Sequence, residues 1–130
     1  MQQRNPFALK LHLARTDHLN AFTGYGEGYV LVNAVRYERS LVVLPDRPVE
    51  TWDVAGVDTL REDDLDFLGG LGVEIVLLGT GENLRFLHPR LLQSLAQARV
   101  GVEVMDTRAA CRTYNILLAE GRKVAAALIL

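Results

Sequence analysis

A single cysteine, one tryptophan and the absence of any charge surplus set the first limits on this chain. Cys111 stands alone among 130 residues, so no intrachain disulfide can form and a cysteine-based structural zinc site is excluded. A reduced, cytoplasmic setting is the simplest reading. Lysine and arginine number 14 against 16 aspartate and glutamate, a net charge of −2. Neither nucleic acid nor an acidic membrane surface is therefore expected as a partner. No apolar run is long enough to span a bilayer, so no membrane insertion is expected. Residues 1–6 carry one basic residue and no apolar centre, which predicts a polar, flexible tail and not a signal peptide. His12, His18 and His88 show no ligand spacing, and the acidic cluster Glu62, Asp63, Asp64 and Asp66 lacks the glycine-punctuated spacing of a calcium loop. There is no Gly-x-Ser-x-Gly, no P-loop and no kinase-like set. Neither a metal nor another cofactor is expected.

What is present is an ordinary globular composition, 49% hydrophobic and 23% charged. Its length suits one domain, 1–130, with a proper core. Phe7, Leu9, Leu11 and Leu13 alternate with Ala8, Lys10 and His12, the mark of a strand with one wet face. Tyr25-Gly-Glu-Gly28 predicts a turn. Residues 29–32 and 36–44 predict strands joined at Asn33-Ala34, the second ending in Leu41-Val-Val-Leu44, a run suited to cover on both faces. Residues 50–54 predict a short strand around Trp52. Thr59-Leu-Arg-Glu62 reads as a capping box, followed by a helix that buries Leu65 and Leu68 and ends at Gly69, Gly70 and Gly72. Residues 74–78 predict a strand and 79–87 a long turn. Pro89 then opens a helix that turns Leu91, Leu92, Leu95 and Ala96 inward and stops at Gly101.

The densest polar chemistry lies in residues 103–115. A short strand, 102–105, runs into a helix that Asp106 or Thr107 can cap. Ala110, Tyr114, Leu117 and Leu118 form one apolar stripe. Gly121 supplies a left-handed stop, and 124–130 predicts a final buried strand. Strands 74–78 and 102–105, linked through a helix, should run parallel, which makes the fold α/β.

Met105-Asp106-Thr107, Ala109-Ala110-Cys111-Arg112-Thr113-Tyr114-Asn115 and Glu120-Gly121-Arg122-Lys123-Val124 resemble the closing signature of the Mth-domain family, a family of unknown function. Gly79-Thr80-Gly81 with Pro89, Ser40-Leu41-Val42-Val43 and Trp52 fit the same pattern. Asn33-Ala34 departs from it, since an Asn-Gly turn would stand there. The resemblance runs from about Asn20 onward. It implies a three-layer single domain with a mixed central sheet plus a smaller β-layer. The family includes a mitochondrial complex I assembly factor that works by binding a partner protein.

In a parallel sheet, the loop Gly79, Thr80, Gly81 and the turn at Asp106 leave neighbouring strand ends and can flank a crevice, the usual ligand position in open α/β folds. Thr107, Cys111 and Asn115 share one helix stripe beside it, and Arg112 sits between them. Each feature also has a plain structural reading. The glycines lack the third position and the prompt helix of a dinucleotide site. Cys111, although flanked by Arg108 and Arg112, has no histidine near it in sequence and suits burial as an unreactive thiol. Arg112 suits a lock onto Asp106 or a backbone carbonyl. The Thr80 hydroxyl is the group a small ligand would use. Two functions follow. One, resting mainly on the resemblance, is a non-catalytic protein-binding or assembly module with an unidentified protein partner. The other is a small enzyme or ligand-binding protein using the crevice of Gly79, Thr80, Gly81, Asp106, Thr107, Cys111, Arg112 and Asn115.

Overall fold

The computed structural model describes residues 18–130. The predicted tail 1–6 and the alternating strand 7–13 lie outside the described residues. Eight strands follow in order: β1 (Phe22–Gly26), β2 (Tyr29–Val32), β3 (Val35–Tyr37), β4 (Leu41–Val43), β5 (Glu50–Thr51), β6 (Ile75–Gly79), β7 (Gly101–Met105) and β8 (Val124–Leu128). The helices are α1 (Glu62–Asp66), α2 (Gln93–Gln97) and α3 (Thr107–Ala119).

The central sheet has the order β5-β4-β8-β6-β7. β6 runs parallel to β7 and β8, whereas β4 is antiparallel to β8 and β5, so the sheet is mixed. β8 lies at its middle and is buried throughout. Its sequence, Val-Ala-Ala-Ala-Leu, keeps both faces low, which lets layers approach from either side. Alternate strand residues feed two cores. On one face Val42, Val76, Leu78 and Ala127 meet Leu65, Leu68 and Leu95 of the α1 and α2 layer, with Trp52. On the other face Leu41, Val43, Leu77 and Ala126 meet Ala110, Tyr114 and Leu118 of α3 and the inner side of the small sheet β1-β2-β3. This is the three-layer α/β arrangement, a mixed sheet with a smaller β-layer on one side.

Several elements differ from the sequence reading. The predicted strand 36–44 is two strands in two sheets. β3 belongs to the solvent-facing small sheet, where Val35 is exposed, whereas β4 is buried on both faces, and the chain changes sheets through buried Ser40. The strand around Trp52 contracts to Glu50–Thr51, because Trp52 turns inward and its indole N–H donates to the Asp64 carbonyl at 3.0 Å. The capping box shifts by two residues. Leu60 stays extended to reach the core, so α1 starts after it, and the Asp64 carboxylate accepts from the Arg61 N–H at 2.8 Å. Ala96 is exposed, and the α2 segment ends through Arg99 in the left-handed region (φ 61°) while Gly101 opens β7.

The hairpin β2–β3 keeps a two-residue turn without its glycine. Asn33 and Ala34 both hold positive φ, 48° and 68°, the conformation of a type I′ turn. Asn33 Oδ1 accepts from the Ala21 N–H, and the Ala34 N–H donates to Thr23 Oγ1. These bonds hold an alanine where its Cβ is strained. Ala34→Gly should therefore raise stability by roughly 0.5–1 kcal/mol, the strain relief less the added freedom of the unfolded chain. A urea melt that shows no gain would refute the strain.

Candidate functional site

β6, β7 and β8 end together, and the loops leaving them are bound to one another. The Thr80 N–H donates to the Met105 carbonyl, the Thr107 N–H to the Gly81 carbonyl and the Ile129 N–H to the Gly79 carbonyl, each at 2.9 Å. Three polar side chains are buried among the described residues, Ser40, Thr80 and Thr107, and all three serve this region. The Thr107 hydroxyl accepts from the Gly81 N–H at 2.9 Å and donates to the Ile129 carbonyl at 2.8 Å. The Thr80 hydroxyl donates to the Asn83 carbonyl at 2.7 Å and accepts from the Arg85 N–H at 3.1 Å. Ser40 Oγ accepts from the Leu130 N–H. Gly79 is required by the close approach: a Cβ there would lie 2.8 Å from Thr107 Oγ1 and 2.9 Å from a Leu128 methyl.

Asp106 caps α3, its carboxylate accepting from the Ala109 N–H at 2.9 Å. Asn115 pairs with the backbone of Phe22 in both directions, at 2.9 and 2.7 Å, and so splices α3 to β1. The Tyr114 hydroxyl donates to the Asn20 carbonyl and its ring meets Phe22 edge-on at 5.0 Å. Cys111 lies between these anchors, 1% exposed. Burial pushes its thiol up to about 12, against the opposing pull of Arg112. Burial thus favours the neutral thiol of Cys111 over the thiolate.

The predicted crevice is thus partly assembled and largely filled. Gly79, Thr80 and Gly81 do meet Asp106 and Thr107. Gly81 and Thr107 bond each other, the Thr80 hydroxyl is committed to Asn83 and Arg85, and one Asp106 oxygen caps α3. Asn115 serves β1 and does not face the strand ends. Among the described residues Arg112 makes neither predicted lock; it is exposed and donates to the Tyr25 hydroxyl at 2.8 Å. Arg108 approaches the same ring, 5.8 Å from its centre. Beside the filled crevice a cleft of about 250 Å³ remains, walled by Tyr25, Tyr29, Glu82 and Arg108 with Gly81 and Thr107. Sequence reasoning missed Tyr25, taken only as a turn residue. It also missed Leu84 and Phe86, which stand 65% and 77% exposed on loop 80–88. Among the described residues no cluster of histidine, cysteine, aspartate or glutamate could hold a metal ion.

Comparison with known proteins agrees with this architecture. A family model described as "Protein of unknown function (DUF498/DUF598)" matches residues 22–129. The chain is 41% identical over 90 residues to NADH dehydrogenase [ubiquinone] 1 alpha subcomplex assembly factor 3 of Mus musculus, covering 68% of this chain and 48% of that protein. It spans between 48% and 65% of the length of the first curated relatives it matches. A crystal structure of a Bordetella parapertussis protein shares 44% identity at a TM-score of 0.81, over 85% of this chain and 95% of that one. The solution structure of a Bordetella pertussis protein, described as a Mth938-like domain, shares 33% identity at 0.77, over 99% and 91%.

Two measurements test the filled junction. Thr107→Val keeps the shape but strands two buried backbone groups, so it should cost roughly 2–4 kcal/mol in a denaturant melt. Thr113→Val, at a half-buried position on the same helix, should cost well under half of that. Equal midpoints for the two would refute the Thr107 tie. Cys111 should react with a thiol reagent at pH 7.5 at least about a hundredfold more slowly in the native state than in denaturant, because reaction waits on opening. Rapid stoichiometric native labelling would instead expose a reactive thiol.

Proposed function

The chain belongs to the DUF498/DUF598 family of unknown function, and from that premise we propose that it is a non-catalytic protein-docking module, an assembly-factor-like protein of the cytoplasm. One observation carries the reading: the polar groups at the strand ends satisfy each other. An active site needs groups held in place yet unspent, aimed at where the reacting atoms will sit. Thr80, Thr107 and Asn115 are spent on backbone partners, and one carboxylate oxygen of Asp106 caps α3. Cys111 is buried, which favours its neutral thiol. What the same framework leaves exposed is apolar surface on loop 80–88, the kind of surface that protein partners cover. The name of the mouse relative, an assembly factor, supports the same reading. A buried free thiol suits a reducing compartment, which supports the cytoplasmic placement.

The alternative, a ligand-binding protein, has its best footing in the cleft beside Tyr25 and Arg108. The two readings separate in one experiment. Affinity purification from an extract of the source cells, paired with native mass spectrometry of the purified chain, should yield a specific protein partner and no retained small molecule. Arg108→Ala, which removes an exposed guanidinium at the cleft, should leave the fold and the partner unchanged. A small molecule carried by the wild type and lost on Arg108→Ala would sink the docking reading.

A further inference from the structure

The edges of the two sheets are not equally protected. β5 offers two residues. β1 is broken by a bulge between Phe22 and Gly24, and Asn115 takes the Phe22 backbone. β3 has three residues, and its Arg36 is tied to Glu38 and to the Tyr29 ring. β7 has none of these devices. It runs five residues in unbroken register against β6, without proline. A bare edge of that kind is a template for another strand. The Gly101 N–H donates to the Glu74 carbonyl and the Met105 carbonyl accepts from the Thr80 N–H, so residues 101, 103 and 105 bond inward. The N–H and C=O groups of Val102 and Val104 therefore point away from the sheet, and among the described residues nothing takes them. Their half-buried side chains pack on the face of α1 and α2. Glu103 lies between them on the opposite face, exposed and without an ion pair among the described residues.

We propose that β7 is a docking edge for an extended segment of a different protein, one with a basic residue between two apolar ones. This rests on the docking reading and names the surface and the partner's chemistry. Outward N–H and C=O groups in a row are satisfied by an extended backbone, which fixes the partner's conformation. The two-residue period fixes its pattern. Apolar side chains beside Val102 and Val104 extend that core, and a cation falls beside Glu103. The same carboxylate argues against a second copy. Edges joined by a two-fold axis run antiparallel. The register that uses both valines sets Glu103 against Glu103, about 4.5 Å apart at Cα. A register centred on Val102 pairs Val104 with Val100, whose N–H is held by the Leu95 carbonyl. One centred on Val104 pairs Val102 with Asp106, whose carbonyl accepts from the Ala110 N–H. Head-to-tail pairing with β3 of another copy fails on register. Within β3 only Arg36 turns its backbone groups outward, so it would face a valine and not Glu103.

Hydrogen exchange of the full chain is the first half of the test. Alone in solution, the Val102 and Val104 amides should exchange at least about a hundredfold faster than those of Glu103 and Met105. Protection of both that persists on dilution, through this chain's own residues 1–17, would overturn the proposal. So would protection that grows with chain concentration, through a second copy. Capture from an extract of the source cells is the second half, with wild type, Val104→Pro and Glu103→Lys, each checked for wild-type melting. Proline at 104 removes an outward N–H and no inner bond. The protein retained by wild type should fall at least about tenfold with either variant, and in its complex the Val102 and Val104 amides should slow about a hundredfold. Exchanging the partner's basic residue for glutamate should restore capture by Glu103→Lys. If Val104→Pro does not keep its fold, Glu103→Lys and the amide protection decide. Equal retention by wild type and Glu103→Lys, or unchanged amides in the complex, would refute the edge and leave the docking reading standing. No protein retained by any form would remove the docking reading as well.

Discussion

The hydroxyl of Thr107 is the contact on which this end of the molecule depends. It sits at the first turn of α3, between the loop leaving β6 and the residues following β8. By accepting from Gly81 and donating to Ile129 it uses both hydrogen-bonding capacities on backbone groups that burial would otherwise strand. The position works only because Gly79 has no Cβ to occupy the space. Thr80 does for loop 80–88 what Thr107 does for the strand ends. Two threonines separated by 27 positions thus convert an edge that α/β sheets commonly leave open for ligands into a closed knot.

That closure bears on function through what it leaves over. Hydrogen-bonding capacity is finite, and here it is consumed holding loops. The same bonds that deny the crevice a free hydroxyl hold Leu84 and Phe86 outward. Internal polarity and external apolarity are two sides of one arrangement. Arg112 shows the alternative on a small scale: it spends a bond on Tyr25 at the surface, where water competes and the contact constrains little.

Much of the fold was legible because periodicity and turn chemistry are local. The parallel pairing of β6 and β7, the Asp106 cap, the Gly121 stop and the buried run of β4 all follow from a few adjacent residues. The failures share a cause. The break between β3 and β4, the inward turn of Trp52 and the delayed start of α1 are set by which layer each side chain must reach, and composition does not encode layers. The site was half legible for the same reason. The sequence placed Gly79, Thr80, Gly81, Asp106 and Thr107 at adjoining strand ends. Whether a threonine hydroxyl faces a ligand or a carbonyl depends on loop geometry within an ångström. Tyr25 escaped notice because its partner, Arg112, is 87 residues away. The one available signal for Leu84 and Phe86 was their place in a long turn, where apolar residues are unusual.

The central position of β8 has a consequence for synthesis. β4 and β6 lie on its two sides and do not touch each other as strands. Until residues 124–128 leave the ribosome, Leu-Val-Val of β4 and Ile-Val-Leu-Leu-Gly of β6 each hold a bare edge toward an empty slot. Unpaired apolar edges are what nascent chains must shield. The sheet therefore cannot be completed before this small, alanine-rich strand is available to pair with both neighbours. A narrow strand suits that task, because it completes both cores without asking either layer to move aside.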